Sequence, residues 1–239
     1  MRKIRLIPLL IAFTSCALAA DSKDLVKAAA TKLAAQSNYS WKSTVETPAS
    51  TGGRMRWGPT EGKTEKDGYT SVTMTRGETT VQAVLKNGKG AIKTDAGWIS
   101  AAEAVANEDR QNPARFAARQ LPTYKIPSVE IVDLAEKTKE LKSEGDSLRG
   151  DLTEEGAKAL MSLGRGGAAG ANSPTYSNAK GSVTFWIKDG SLSKYQIKVQ
   201  GTVSMNGNDR EVDRTTTTEI KNVGTTQVEA SDEAKKKAS

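Results

Sequence analysis

Two short stretches carry residue types at spacings that belong to known chemistry. Residues 58–64 read GPTEGKT. This is one residue short of the phosphate loop G-x-x-x-x-G-K-[ST], because three residues rather than four separate Gly58 from Gly62. Such a loop works when a buried strand leads into it and a helix follows, so that N-terminal N–H groups converge on phosphate. Here Glu65-Lys66-Asp67-Gly68 and then a β-like run follow. GPTEGKT therefore reads as a turn. Gly58-Pro59 ends a strand through Trp57, residues 60–62 connect, and Lys63-Thr64 begin the next strand. Residues 191–194, SLSK, match the S-x-x-K nucleophile motif of penicillin-binding enzymes. That motif must open a helix and needs partner motifs. SLSK instead follows Asp189-Gly190 inside a strand pattern, and neither S-D-N nor K-T-G occurs.

The residue inventory excludes more. The chain has no histidine and a single cysteine, Cys16. His-based triads and His-containing metal sites are thereby removed. Carboxylates remain at Glu61/Glu65/Asp67, Glu103/Glu108/Asp109 and Asp151/Glu154/Glu155. None has EF-hand spacing, and each reads as surface charge or a helix start. We expect no catalytic residue, no metal and no cofactor.

The first residues read as an export leader. Arg2, Lys3 and Arg5 precede an apolar run over 6–13 and small residues through Ala20. Residues 17–19 or 18–20 suit an ordinary signal peptidase, leaving Asp21 near the new N-terminus. Alternatively, Phe13-Thr14-Ser15-Cys16 is a loose lipobox in which Cys16 is lipidated. The first route predicts a periplasmic or secreted protein, the second one anchored in the cell envelope. No other run reaches about 18 apolar residues. The formal charge is +7, and without the three basic residues of the leader it is +4. Lys and Arg are interspersed with Asp and Glu, so no basic stripe for nucleic acid appears.

The elements that would position a site follow from periodicity. Residues 21–36 predict an amphipathic helix on Leu25, Val26, Ala29 and Leu33. From 38 the period is two, and 38–99 read as an antiparallel meander with turns at Gly58-Pro59, Asp67-Gly68, Gly77, Asn87-Gly88 and 95–97. Ser100 and Glu103 form a capping box for a helix over 101–106. Asn112-Pro113 starts another over 113–120, and Ser128 a third over 129–135. A hairpin over 137–152 and a helix over 153–162 follow. Residues 164–181 are Gly-, Ala- and Ser-rich and read as a mobile loop. Alternation returns at Val183, Phe185 and Ile187, with turns at Asp189-Gly190 and Asn206-Gly207, strands to 222, a last segment over 225–230 and a charged tail, 231–239. Strands, helices, strands predict an α+β fold, a large curved antiparallel sheet as an incomplete β-barrel with helices packed on its concave side. Residues 21–230 form one domain.

An apolar sheet face covered tightly is core, and covered loosely it is a ligand cavity. Strand parity selects Trp41, Val45, Val81, Leu85, Phe185, Ile187, Ile197 and Val199 as candidate lining residues, with the helices of 101–121 as a lid. Trp57 would stand close to them.

VTFWIKDG (183–190), Leu192, the long strand over 195–203, GDLTEEGAKALM (150–161) and the closing TTEIKNVGTTQVEA (217–230) together resemble the LolA/LolB lipoprotein-carrier superfamily. The nearest look is to its LppX/LprG-like branch of exported lipid-binding proteins. Ser231 stands where a Pro would be usual in that family. The resemblance implies an incomplete barrel with a helical lid over an apolar cavity, and carriage of acylated proteins or glycolipids or a role in envelope sensing. The implied partner of this non-enzymatic monomer is a lipid or acylated protein. The alternative is an envelope sensor module with a packed core and a protein partner.

Overall fold

A computed structural model describes residues 21–48, 57–66, 68–109, 111–162 and 173–239. The leader with Cys16, Asp67 and residues 163–172 of the expected loop lie outside these, as does the side chain of Trp57.

Eleven strands form one antiparallel sheet. They are β1 (Asn38–Glu46), β2 (Trp57–Glu65), β3 (Thr70–Arg76), β4 (Thr79–Lys86), β5 (Lys89–Thr94), β6 (Gly97–Ser100), β7 (Lys142–Glu144), β8 (Ser147–Asp151), β9 (Thr175–Lys188), β10 (Ser191–Met205) and β11 (Asn208–Lys221). Their spatial order is β6-β5-β4-β3-β2-β1-β11-β10-β9-β8-β7, a curved sheet not closed into a barrel. Two meanders, β1–β6 and β7–β11, thus meet where the first strand pairs with the last, Trp41 opposite Ile220 and Val45 opposite Thr216. Hairpin chemistry sets the register inside each meander. Asn87-Gly88, Asp189-Gly190 and Asn206-Gly207 all take positive φ at both positions, the geometry that a two-residue hairpin with right-handed twist requires.

Helices cover the inner face. α1 (Ser22–Ala34) is capped by Asp21, whose side chain accepts from the Lys23 N–H at 3.0 Å. Its buried stripe is Val26, Ala29, Ala30 and Leu33; Leu25, expected on that stripe, is exposed. α1 packs on α4 (Pro127–Lys137), which buries Ile131, Leu134 and Ala135. With α5 (Glu154–Met161) they close the main core over Phe185, Tyr195 and Val199. α2 (Ala101–Ala106) and α3 (Pro113–Gln120) cover a second core on β4 and β5, around Ala83 and Ile92. A 3₁₀ turn, Leu121–Thr123, ends α3.

Two expectations are corrected and two segments gain a definite structure. GPTEGKT is no turn: β2 runs unbroken from Trp57 to Glu65. Pro59 is accommodated at a register irregularity between Trp57 and Thr60, where no ladder N–H is demanded of it. Residues 175–181 are strand rather than loop. A Cβ on Gly181 would lie 2.1 Å from the Lys198 carbonyl oxygen, so the small side chain there permits close strand approach. A bulge at Asn178, with φ +54°, shifts the register opposite Gln200–Thr202. The last segment, 225–230, is irregular rather than helix or strand. It runs as a strap held by the Thr226 N–H on Asn38 Oδ1 (2.7 Å) and the Val228 N–H on Glu65 Oε1 (3.0 Å). Finally, the charged tail folds as α6 (Asp232–Lys237). It packs on the face opposite the other helices, where Ala234 and Ala238 meet Val84, Ala91 and Trp98.

Candidate functional site

The inner face of β11 explains where a cavity can form. In a sheet the inward side chains repeat every second residue. On β11 these are Arg214, Thr216 and Thr218, opposite Val199, Ile197 and Tyr195 of β10. A strand at the centre of the sheet thus turns polar groups toward the helices for three successive inward positions. Apolar helix faces gain nothing by closing on them, and a cavity of about 250 Å³ remains there. Its apolar wall is Trp41, Val45, Ile197 and Leu160. Its polar wall is Ser43, Arg214, Thr216 and Thr218 on the sheet, with Gln120, Tyr124, Glu130 and Asp133 on the helical side. It lies at the seam of the two meanders, where the end of α3, the start of α4 and the end of α5 come together.

Trp41 is seated by a glycine. A Cβ on Gly62 would lie 2.1 Å from Cζ2 of the indole, so the six-membered ring rests directly on the β2 backbone. The indole also hydrogen-bonds the Tyr124 hydroxyl, which burial drives upward in pKa. Tyr39 packs against Trp41 at 5.7 Å between centroids and donates to Ser128 Oγ at 3.0 Å.

The polar groups form two sets. Ser43 and Thr218 share a hydrogen bond of 2.8 Å, Thr218 also bonds the Tyr195 hydroxyl, and that hydroxyl donates to Glu130 Oε2. Burial pushes the Glu130 carboxyl above its ordinary range and the Tyr195 phenol well above its own. Asp133 is held by Lys125 at 3.0 Å and by Lys137, and these partners bring its carboxyl below the usual range despite the opposing effect of burial. Arg214 stands apart. Nη2 donates to the Leu160 carbonyl at 2.7 Å, burial is the one cause that lowers its pKa, and among the described residues no carboxylate lies within ion-pair distance of it. Gln120 Nε2 is buried with no hydrogen-bond partner among the described residues.

Of the eight candidates chosen by parity, Trp41, Val45 and Ile197 line this cavity. Phe185 and Val199, at 0% and 1% exposure, are filled core. Ile187 packs partly buried against that core, Val81 against the α2–α3 core, and Leu85 against both. The lid is also displaced: of residues 101–121 only Gln120 reaches the cavity, and its roof is residues 120–133 with Leu160. Arg214, Thr216, Thr218, Tyr124 and Glu130 escaped a search for apolar parity. The signal that could have found them is RTTTTE (214–219), a strand pattern with no apolar face.

A larger hollow of about 580 Å³ lies on the opposite face, between the solvent-facing rows of β1–β4 and the C-terminal strap. Its floor is polar, and Lys42 and Glu61 there pair with each other at 2.7 Å. Val84 and Trp98 are its apolar edge, and no buried side chain found without a hydrogen-bond partner among the described residues lines it. Among the described residues no cluster of three metal-ligating side chains occurs, and no helix is long and apolar enough to cross a membrane.

No family model and no curated protein matches the chain. Among solved structures it is similar to the lipoprotein LppX of Mycobacterium tuberculosis, with 10% identity and a TM-score of 0.46 over 87% of this chain and 97% of that one. It is also similar to LprF from Mycobacterium bovis, with 10% identity and a TM-score of 0.44 over 89% of this chain and 96% of that one.

Proposed function

We propose that this is an exported, non-enzymatic binding protein that holds a lipid or acyl chain between its sheet and its helices, as a carrier in the cell envelope. The observation that carries the reading is the cavity at the seam of the two meanders, with Trp41, Val45, Ile197 and Leu160 as an apolar wall. Burying an acyl chain there removes apolar surface from water at roughly 25 cal/mol per Å². The volume is just below the roughly 300–1,000 Å³ of drug-sized ligand sites, which fits one chain better than several. The test is extraction of the protein purified from an exporting host, with mass spectrometry of what is released. A bound lipid in near-stoichiometric amount is expected. Protein that emerges empty and ignores fluorescent fatty-acid probes would sink the proposal.

A second reading has its own observation. The β9–β10 half of the inner face is filled, with Phe185, Val183 and Tyr195 at no more than 1% exposure. A filled core fits an envelope sensor or interaction module that binds a protein instead. That reading expects the cavity to stay without a lipid while a partner is retained on the intact fold.

The leader over residues 1–20 fits export, with either an ordinary cleavage or lipidation of Cys16 deciding whether the mature protein is free or anchored. Intact mass of the mature protein separates the two.

A further inference from the structure

We propose that the ligand is a single-chain amphiphile with an anionic head, carboxylate or phosphate, and that Arg214 is the residue that holds the head. This rests on the reading of the cavity as a ligand site and specifies its chemistry.

The charges around the cavity are settled except for one. Asp133 is matched by Lys125 and Lys137. Glu130 accepts from Tyr195. The Arg214 guanidinium stays charged at any physiological pH, is part-buried, and has a backbone carbonyl as its one hydrogen-bond partner among the described residues. A guanidinium offers five N–H donors in a planar fork that matches carboxylate or phosphate. A buried charge without an opposite charge is costly, and a ligand anion would remove that cost.

The neighbours fit the same head. Gln120 Nε2 is a buried donor without a partner, and the hydroxyls of Thr216 and Tyr124 share the cavity with it. Apolar side chains stand beside these groups, with Val45 and Ile197 flanking Thr216 in the sheet and Leu160 next to Arg214, so a ligand that satisfies both kinds of group is itself amphiphilic. A neutral head would leave the guanidinium unmatched.

The experiment measures binding of decanoate, decyl phosphate and decanol by calorimetry to the purified protein and to Arg214→Gln and Arg214→Lys. The two anions are expected to bind at least tenfold more tightly than decanol. Arg214→Gln should bring the anions down to the level of decanol and leave decanol unchanged. Arg214→Lys should fall between, because a point charge lacks the fork. Whichever anion binds more tightly identifies the source, a free fatty acid or a phosphorylated lipid head. If none of the three binds, the ligand-site reading itself is overturned. If decanol matches the anions, or Arg214→Gln loses all three alike, Arg214 merely caps the end of α5 and this inference fails while the site stands. Should Arg214→Gln not fold, Gln120→Met decides. A loss of threefold or more for the anions alone supports the assignment, and equal affinities overturn it.

Discussion

Trp41 and Gly62 are one device seen from two strands. Parity alone turns Trp41 inward, and that much is legible in YSWKSTVE. The sequence cannot show that Gly62 lies beneath the indole, because that depends on the β1–β2 register, in which Trp41 pairs with Gly62. Gly and Pro in GPTEGKT look like turn residues for reasons of backbone freedom. Here Gly62 is needed for closeness, and its φ is not in the left-handed region. Gly62→Ala is therefore expected to cost about 1–3 kcal/mol by overpacking, read as a lower denaturation midpoint and a shifted tryptophan emission. Trp41→Leu removes the clash, so the double variant should be less destabilised than the sum of the single ones; additivity would mean the ring does not rest there. Glu130 makes a second residue-scale case. Its folded pKa is raised, so the folded state prefers the protonated form. Stability linked to it is present below the unfolded value of about 4.5 and is lost as pH rises through the folded value. Glu130→Gln keeps an acceptor for Tyr195 and removes that loss. The variant should lose less stability than the parent as pH rises above about 4.5, in thermal melts at a series of pH values. A parallel pair of pH profiles would refute it.

Among the elements, strands with an alternating pattern were readable and those that break it were not. The hairpins at Asn87-Gly88, Asp189-Gly190 and Asn206-Gly207 announce themselves because few residues other than Asn, Asp and Gly tolerate positive φ twice in succession. β9 hides its first half behind Gly181 and Asn178, whose smallness and left-handed backbone serve packing and a bulge, so composition mimics a loop. α6 hides in a run of charges because its buried face is only Ala234 and Ala238. Such a helix is too short to be stable by itself, and its docking rests on identifiable bonds. Glu233 accepts from the Trp98 N–H at 3.1 Å, and Lys237 donates to both carboxylate oxygens of Glu103 at 2.8 and 3.0 Å. Glu103 also closes the capping box with Ser100, so one carboxylate ties α2 to α6. These bonds lower its pKa from 4.5 to about 2. The sign is that of a depressed carboxylate: its contribution is present above the unfolded value and lost as pH falls toward 2. Protection factors of α6 amides are therefore expected to fall between pH 4.5 and 2 more than those of α1. Glu103→Gln should reproduce that loss of protection at pH 7, and unchanged protection of α6 in that variant would show that the alanines alone hold it.

At the scale of the whole molecule the site follows from topology. The main core runs across the junction of β1 with β11, from Tyr39, Trp41 and Val72 to Phe185 and Tyr195, and a second core lies under α2 and α3. The architecture was legible because turns and alternation are local signals. The junction was not, because it pairs residues about 170 positions apart, such as Val45 with Thr216, and only that pairing places a threonine row beside Trp41 and Val45. A central strand with Arg214, Thr216 and Thr218 on its inner face gives up burial that Ile or Val would supply, so a packed-core module would be more stable without it. Thr216→Ile tests which requirement the row serves. Filling the cavity should raise stability by about 0.5–2 kcal/mol, as cavity-filling changes commonly do, and should lower affinity for decanoate by tenfold or more through lost volume. Higher stability with binding intact would place the ligand elsewhere. Lower stability would mean that Thr216 is needed to satisfy its neighbours and that the polar row belongs to the core. Loss of binding together with a gain in stability is the outcome expected of a protein that keeps its centre underpacked for a ligand.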